Sequence, residues 1–262
     1  MARLKGKVAL VMGGGSDGPP ARGEQLPIGN GRAAAMQCAR EGAAVIVADR
    51  RLDAAEDTAR AIRAEGHLAE AVACDVSQAD QCRLAVASTV QKFGALHLLV
   101  NNVGIADMGP AVDASEEEFA RIMLVNVRGQ FLAIKHALPA MQRAGGGAIV
   151  NVSSLNAVLS GGGAGVAYET SKTALLGLTR NVAVSAAALN VRVNCVLPGI
   201  IDSTMLRRYV GDQQIDFSGR IPCRRMGTPW EVARAIVFLL SDEASYITGT
   251  QLLVDGGVAA SL

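Results

Sequence analysis

Compact apolar runs recur along the chain at 7–12, 44–48, 68–73, 96–100, 148–152, 191–196 and 251–254. Each is of strand length, and most are apolar on successive positions, as strands covered on both faces are. The stretches between them read as helices at 29–41, 52–65, 78–93 and 115–143, a helix carrying Tyr168 and Lys172 that runs to about 189, and one over 228–240. Gly42 ends the first helix, and Gly145-Gly146-Gly147 breaks the long one. The last opens on Thr228-Pro229-Trp230-Glu231, a capping residue followed by proline at the first helical position. The stretch 200–227 is irregular. Strand and helix alternate about six times with no break in composition. This predicts an α/β fold: one domain over 1–262, a Rossmann-like, doubly wound parallel sheet with helices on both faces.

In such sheets ligands bind beyond the carboxyl ends of the strands. The residues able to do chemistry fall at those ends: the glycines after the first run, Asp49, Asp75, Asn102, Ser154 and Pro198. The loop from Gly13 through Gly15 and Ser16 to Gly29, Asn30 and Gly31 is a glycine turn between strand and helix. There the backbone can approach a pyrophosphate and the helix N-terminus offers amide donors. Asp49 stands 18 residues past Gly31, where a carboxylate accepts bonds from ribose hydroxyls and repels a 2′-phosphate. NAD is therefore the expected cofactor, with Arg50 keeping NADP open as the lesser alternative. Asp75, followed by Val76, is a candidate cofactor contact or a cap for the helix beginning at 78.

Tyr168 and Lys172 lie four residues apart, on one helix face. An ammonium beside a phenol favours the phenolate and predicts a lowered phenol pKa. Such a tyrosine can exchange a proton with an alcohol or ketone near neutral pH.

Composition narrows the classes. Half of the 262 residues are hydrophobic but only 3% are aromatic, which suits small aliphatic strands under Ala-rich helices. The net charge is +1 without a basic or acidic run, so no nucleic-acid partner is expected. The five cysteines form no Cys-x-x-Cys pair and read as reduced thiols of a cytoplasmic protein. The three histidines are scattered, and no metal site is expected. The apolar run at 8–12 is too short for a signal peptide or a membrane span.

The order of motifs resembles the short-chain dehydrogenase/reductase family over nearly the whole chain. The matching pieces are the glycine loop, Asp75-Val76, Asn101-Asn102-Val103-Gly104, Asn126-Val127-Arg128-Gly129, Ile149 to Ser154, Tyr168 to Lys172, Pro198-Gly199 and Val254-Asp255-Gly256-Gly257. The resemblance implies that Tyr168 is the acid/base and that Lys172 bonds the nicotinamide ribose and lowers the Tyr168 pKa. Ser154 would hold the substrate oxygen, with Ser153 as the alternative hydroxyl. Asn126 would anchor a water between Lys172 and solvent, or else only cap or kink its helix. Asn102 and Gly104 would line the cofactor, and Pro198, Gly199, Ile201 and Ser203 would close over the nicotinamide. It further implies a homo-oligomer, commonly a tetramer.

The chain departs from the family pattern in places. Met12 stands where Thr is usual and Asn30 where Ile is usual, and about twelve extra residues at 17–28 interrupt the glycine loop. A surface insertion of this kind is compatible with retained cofactor binding. Candidate pocket residues are Ile105, Met108, Leu155, Asn156, Leu159, Met205, Leu206, Tyr209 and Phe217, under a lid at about 200–227. They favour a hydrophobic or alicyclic secondary alcohol or its ketone. The rival readings are an NADPH-dependent 3-oxoacyl-carrier-protein reductase and a catalytically silent dinucleotide-binding regulator.

Overall fold

The computed structural model describes residues 2–16, 27–160, 165–210 and 217–261. Most of the expected 17–28 insertion, the three glycines before Gly165 and the middle of the expected lid lie outside these residues. The chain runs β1 (Val8–Met12), α1 (Asn30–Arg40), β2 (Ala44–Asp49), α2 (Leu52–Ala64), β3 (Ala69–Ala73), α3 (Ala79–Phe93) and β4 (Leu98–Asn101). It continues through α4 (Glu116–Met123), α5 (Gly129–Arg143), β5 (Gly147–Val152), α6 (Val166–Ala187), β6 (Val191–Pro198), α7 (Thr204–Val210), α8 (Pro229–Leu240) and β7 (Gln251–Val254).

The seven strands form one parallel sheet in the order β3-β2-β1-β4-β5-β6-β7. The chain winds outward from β1 to β3, then returns to β4 on the other side. The switch point, where a crevice opens, therefore lies between β1 and β4. Side chains alternate across the sheet. Ala9 and Val11 of β1 join Ala33 of α1, Ala59 of α2 and Ile236 of α8 in one core layer. Leu10 and Met12 join Val86 of α3, Ala137 of α5 and Ala183 of α6 in the other. The expected doubly wound sheet with both faces covered is the one observed.

Local chemistry sets several boundaries. Thr228 and Glu231 form the reciprocal capping box that opens α8. The Arg225 guanidinium holds the Glu231 carboxyl down at about 2. Arg40 of α1 lies 4.6 Å from the centroid of the Trp230 ring, joining α1 to the start of α8. The helix read as continuous over 115–143 is interrupted by a π turn at Leu124–Arg128. The irregular stretch 200–227 contains the short helix α7. Among the described residues, no helix is long and apolar enough to cross a membrane.

Candidate active site

The glycine loop is knitted to its neighbours by backbone bonds. Gly13 N and Gly14 N donate to Ala48 O at 2.7 and 3.1 Å, and Asn102 N donates to Met12 O at 3.1 Å. The Asn102 side-chain amide donates to Gly13 O at 2.9 Å. Gly13 has a φ of +76°, and a Cβ there would also meet Val103 Cγ2 at 2.8 Å. A Cβ at Gly31 would fall on the Gly13 carbonyl oxygen. The N-cap of α1 is Gly29, which has no side chain to bond the first-turn amides of Asn30, Gly31 and Arg32. Those orphan amides and the positive end of the helix suit an anion. The cradle thus fits the diphosphate of a dinucleotide.

Asp49 closes β2 with its carboxylate turned to the loop: Oδ2 accepts from Gly15 N and Oδ1 from Arg51 N, both at 3.1 Å. A Cβ on Gly15 would lie 2.8 Å from Asp49 Oδ2, so only glycine lets the loop come this near. Gly15, Ser16, Asp49, Arg50, Arg51 and Ala54 line one cleft. Cys74 N donates to Asp49 O, which brings Asp75 alongside. Asp75 accepts from Ser77 N at 2.9 Å and closes a turn before α3, whose N-cap is Gln78 rather than Asp75. Val76 is buried against Gly129, where a Cβ would meet Val76 Cγ2 at 2.7 Å.

The residues expected to react come together across the crevice. The Ser154 hydroxyl is the side-chain group that acts on the Tyr168 phenol, favouring its ionised form. Ser153, by contrast, donates to the backbone oxygen of Lys172 at 2.7 Å, so its hydroxyl serves the packing of α6 on β5. Ser154 is the member of the pair that faces the tyrosine. Buried Lys172 donates to Val152 O at 3.0 Å, and its ammonium stands 5.5 Å from the Tyr168 ring centroid. A Cβ at Gly104 would approach Lys172 Nζ to 3.0 Å, so Gly104 leaves room for the ammonium. Asn126 sits in the π turn. Its Oδ1 accepts from Ile105 N at 2.8 Å, and its Nδ2 donates to Ile105 O at 2.8 Å and Ser171 Oγ at 2.9 Å. Ser171 in turn donates to Tyr168 O at 2.7 Å. The helix widens where Asn126 is drawn toward Ile105, which accounts for the π turn.

Pro198 and Gly199 lead from β6 toward the lid. Gly199 N donates to Val254 O at 3.0 Å, Ile201 bridges Gly227, and Ser203 Oγ accepts from Leu206 N at 3.4 Å. Thr204 at the start of α7 meets the Ser16 hydroxyl at 3.2 Å, so the lid rests on the glycine loop. Of the candidate pocket residues, Leu155 is buried, while Met108, Met205 and Tyr209 are exposed.

The electrostatics differ from the expectation at Tyr168. Burial pushes the phenol pKa up, with the Ser154 hydroxyl opposing it, rather than down. Burial also lowers the Lys172 pKa to about 8. This has a measurable consequence. Below pH 8 the lysine is charged in both folded and unfolded chains, and the fold carries the full cost of burying it. Between about 8 and its ordinary 10.5 the unfolded chain keeps a proton that the folded chain has released, so stability rises with pH. Urea unfolding across that window should show wild type gaining about 2–3 kcal/mol relative to Lys172→Met. Parallel pH profiles for the two proteins would contradict it.

Some participants escape a reading of the sequence. Arg32 is fully buried, and its guanidinium donates to Thr58 Oγ1 at 2.8 Å, Pro27 O at 2.9 Å, Ala54 O at 3.3 Å and Ser16 O at 3.4 Å. One side chain thus holds both the residue before the undescribed part of the insertion and the residue after it. Its signal is a charge set among the small residues of α1. Asn156, expected from the sequence as a pocket residue, donates to Glu169 Oε1 at 3.2 Å and is bonded to Ser154 through both its backbone N–H and its side-chain oxygen, a role the sequence did not show. Asp107 reaches the start of α6, and its only signal is that the N-cap, Gly165, has no side chain.

A family model described as enoyl-(acyl carrier protein) reductase matches residues 28–259. Cyclopentanol dehydrogenase of Comamonas sp. (strain NCIMB 9872) is 36% identical, with 100% of each chain covered. Cis-4-hydroxycyclohexanecarboxylate dehydrogenase of Sinomonas cyclohexanicum is 39% identical, over 88% of this chain and 93% of that one. A crystal structure from Burkholderia xenovorans, assigned as a short-chain dehydrogenase/reductase, superposes with a TM-score of 0.91 at 40% identity and 98% coverage of each chain.

Proposed function

The chain belongs to the short-chain dehydrogenase/reductase family, and from that premise we propose that it is an NAD(H)-dependent oxidoreductase interconverting a secondary alcohol and a ketone. The preferred substrate is a hydrophobic or alicyclic small molecule. The observation that carries this reading is the Ser154 hydroxyl acting on the Tyr168 phenol, with buried Lys172 one helical turn further along α6. The redox chemistry is that of a nicotinamide dinucleotide, which exchanges hydride with the alcohol carbon when bound. Gly13, Gly15, Gly31 and the start of α1 would hold its diphosphate, Asp49 its adenosine ribose and Lys172 its nicotinamide ribose. In the oxidative direction Tyr168 Oη takes the hydroxyl proton of the alcohol, and Ser154 Oγ holds that oxygen in place. In reduction Tyr168 returns the proton to the ketone oxygen. Lys172 keeps a positive charge near the phenol below about pH 8, which favours the phenolate once the crevice is filled.

The relatives named for cyclopentanol and cis-4-hydroxycyclohexanecarboxylate support the alicyclic substrate class. A homotetramer belongs to the same proposal, supported by exposed Leu124 in the π turn and Phe131 on α5. One observation favours NADPH and the carrier-protein reductase reading: Arg50 and Arg51 line the cleft with Asp49. The Asp49 carboxylate, fixed by Gly15 and Arg51, opposes it.

The test is steady-state turnover of cyclic, aliphatic and steroidal secondary alcohols with each cofactor. NAD should be preferred over NADP by about 10²-fold in kcat/KM, and Asp49→Ser should cut that preference at least about tenfold, since a repelling carboxylate and its ribose bonds are lost. A preference for NADP in the wild type would overturn the cofactor assignment. Tight NAD binding with no turnover across the panel would favour the silent regulator.

A further inference from the structure

Three consecutive residues after β4 are each gripped by a different part of the fold. Ile105 has both backbone groups bonded to the Asn126 side chain. Ala106 has both backbone groups bonded to the Tyr209 hydroxyl of α7, its O accepting at 2.8 Å and its N donating at 3.2 Å. Asp107 turns its carboxylate to the first turn of α6. Oδ1 accepts from Tyr168 N at 2.8 Å and Oδ2 from Ala167 N at 3.2 Å, while Gly165 N donates to Asp107 O at 3.0 Å.

We propose that Asp107 is a positioning residue for Tyr168, and that the bond from Tyr209 to Ala106 makes this hold depend on the seating of the lid. The inference rests on the proposed role of Tyr168. Its physical basis is the way α6 begins. The first amides of a helix have no partner within it, and a capping side chain at the N-cap normally supplies one. Here the N-cap is Gly165, which has none. A Cβ at that position would fall on the Asp107 carboxylate. Glycine at 165 and aspartate at 107 are complementary: the first clears the space that the second fills.

Tyr168 is the third residue of α6, within the turn that frays when uncapped. Lys172 is a turn further in and is held independently by the Val152 carbonyl, with Ser153 bonded to its backbone. Loss of the Asp107 bonds therefore acts on Tyr168 and spares Lys172. Turnover should fall while cofactor affinity holds. The lid enters through Tyr209, because α7 is fastened to the glycine loop by Thr204 and to the loop after β4 by Tyr209.

The experiment uses the full chain with Asp107→Ala, Asp107→Asn, Gly165→Ala, Tyr209→Phe and the double variant Asp107→Ala/Tyr209→Phe. Kinetics are read on the alcohol that wild type oxidises fastest, with NAD affinity by calorimetry. Asp107→Ala and Gly165→Ala should each lower kcat by about 10–100-fold, the scale of a roughly 1 Å misplacement, with the Kd for NAD within about twofold. Asp107→Asn, which keeps one acceptor, should recover part of the loss. Tyr209→Phe should lower kcat several-fold alone and add nothing on top of Asp107→Ala. A kcat for Asp107→Ala and Gly165→Ala within about twofold of wild type, or a loss matched by weaker NAD binding, overturns the positioning role. Additive losses in the double variant overturn the link to the lid. A phenol titration by ultraviolet absorbance, taken as the difference from Tyr168→Phe, separates this inference from the proposed reaction. In Asp107→Ala, and in Gly165→Ala should the first fail to fold, the Tyr168 phenol should titrate lower than in wild type, toward its ordinary value, whether or not any alcohol is turned over. An unchanged or higher titration overturns the inference. A wild type that oxidises no alcohol overturns the proposed reaction and leaves the titration to decide on Asp107.

Discussion

Tyr168→Phe is expected to lower kcat for the preferred secondary alcohol by about 10²–10⁴-fold, the span attributable to a positioned acid or base, with the Kd for NAD within about twofold of wild type. The phenyl ring keeps its place on α6, and the variant loses only the phenol hydroxyl on which Ser154 acts. The groups assigned to the cofactor are untouched: Lys172 stays on the Val152 carbonyl, and Gly104 still leaves the ammonium its room. Removal of one polar hydroxyl costs at most about 1 kcal/mol of stability, too little to mimic a catalytic defect. Steady-state kinetics beside NAD titration check both halves. Residual turnover within about tenfold of wild type would move the proton transfer to another group. Lys172→Ala makes the contrast, since it should damage NAD binding and turnover together.

Gly31→Ala is expected to weaken NAD binding by more than about 10²-fold, because the new methyl and the glycine cradle require the same space. The added carbon would fall on the Gly13 carbonyl oxygen, which cannot simply swing aside. That oxygen is bonded by the Asn102 amide, and Gly13 N is bonded to Ala48 O. Accommodation needs backbone movement, and overpacking of this kind costs about 1–3 kcal/mol even before a ligand is considered. Calorimetric NAD titration, with circular dichroism to verify the fold, reads the effect. Gly177→Ala on α6 is the control: beyond its own helix backbone and chain neighbours, no heavy atom lies within 4 Å of the added carbon, so binding should be unchanged. Near-wild-type affinity in Gly31→Ala would mean that the diphosphate does not use this cradle.

Much of this molecule is legible along the chain. The seven strands are readable as apolar runs, and the carboxyl-end residues gather where a parallel sheet requires. The start of α8 is written in four letters, Thr228 to Glu231, because a cap is made by neighbours. Strand ends are less legible: 96–100 becomes Leu98–Asn101, since pairing with β1 and β5 decides where the ladder starts. The π turn around Asn126 is not legible, because it depends on the backbone of Ile105, twenty-one positions away. The helix α7 is hidden for the same reason. It is short, and its anchors, Ser16 and Ala106, lie far back in the chain.

The site divides along the same line. The sequence by itself placed Tyr168 and Lys172 on one face, since helical spacing is a local property of consecutive residues. It left open which serine faces the tyrosine, and it predicted a lowered phenol pKa. Tertiary structure turned Ser153 to the backbone and Ser154 to the phenol, and raised the phenol by burial. It also brought Asp107 to the amide of Tyr168, sixty-one positions along the chain. Periodicity and capping are carried by near neighbours and can be read directly. Burial and hydrogen-bond partners depend on which distant segments displace water from the same place, and only the folded chain decides that.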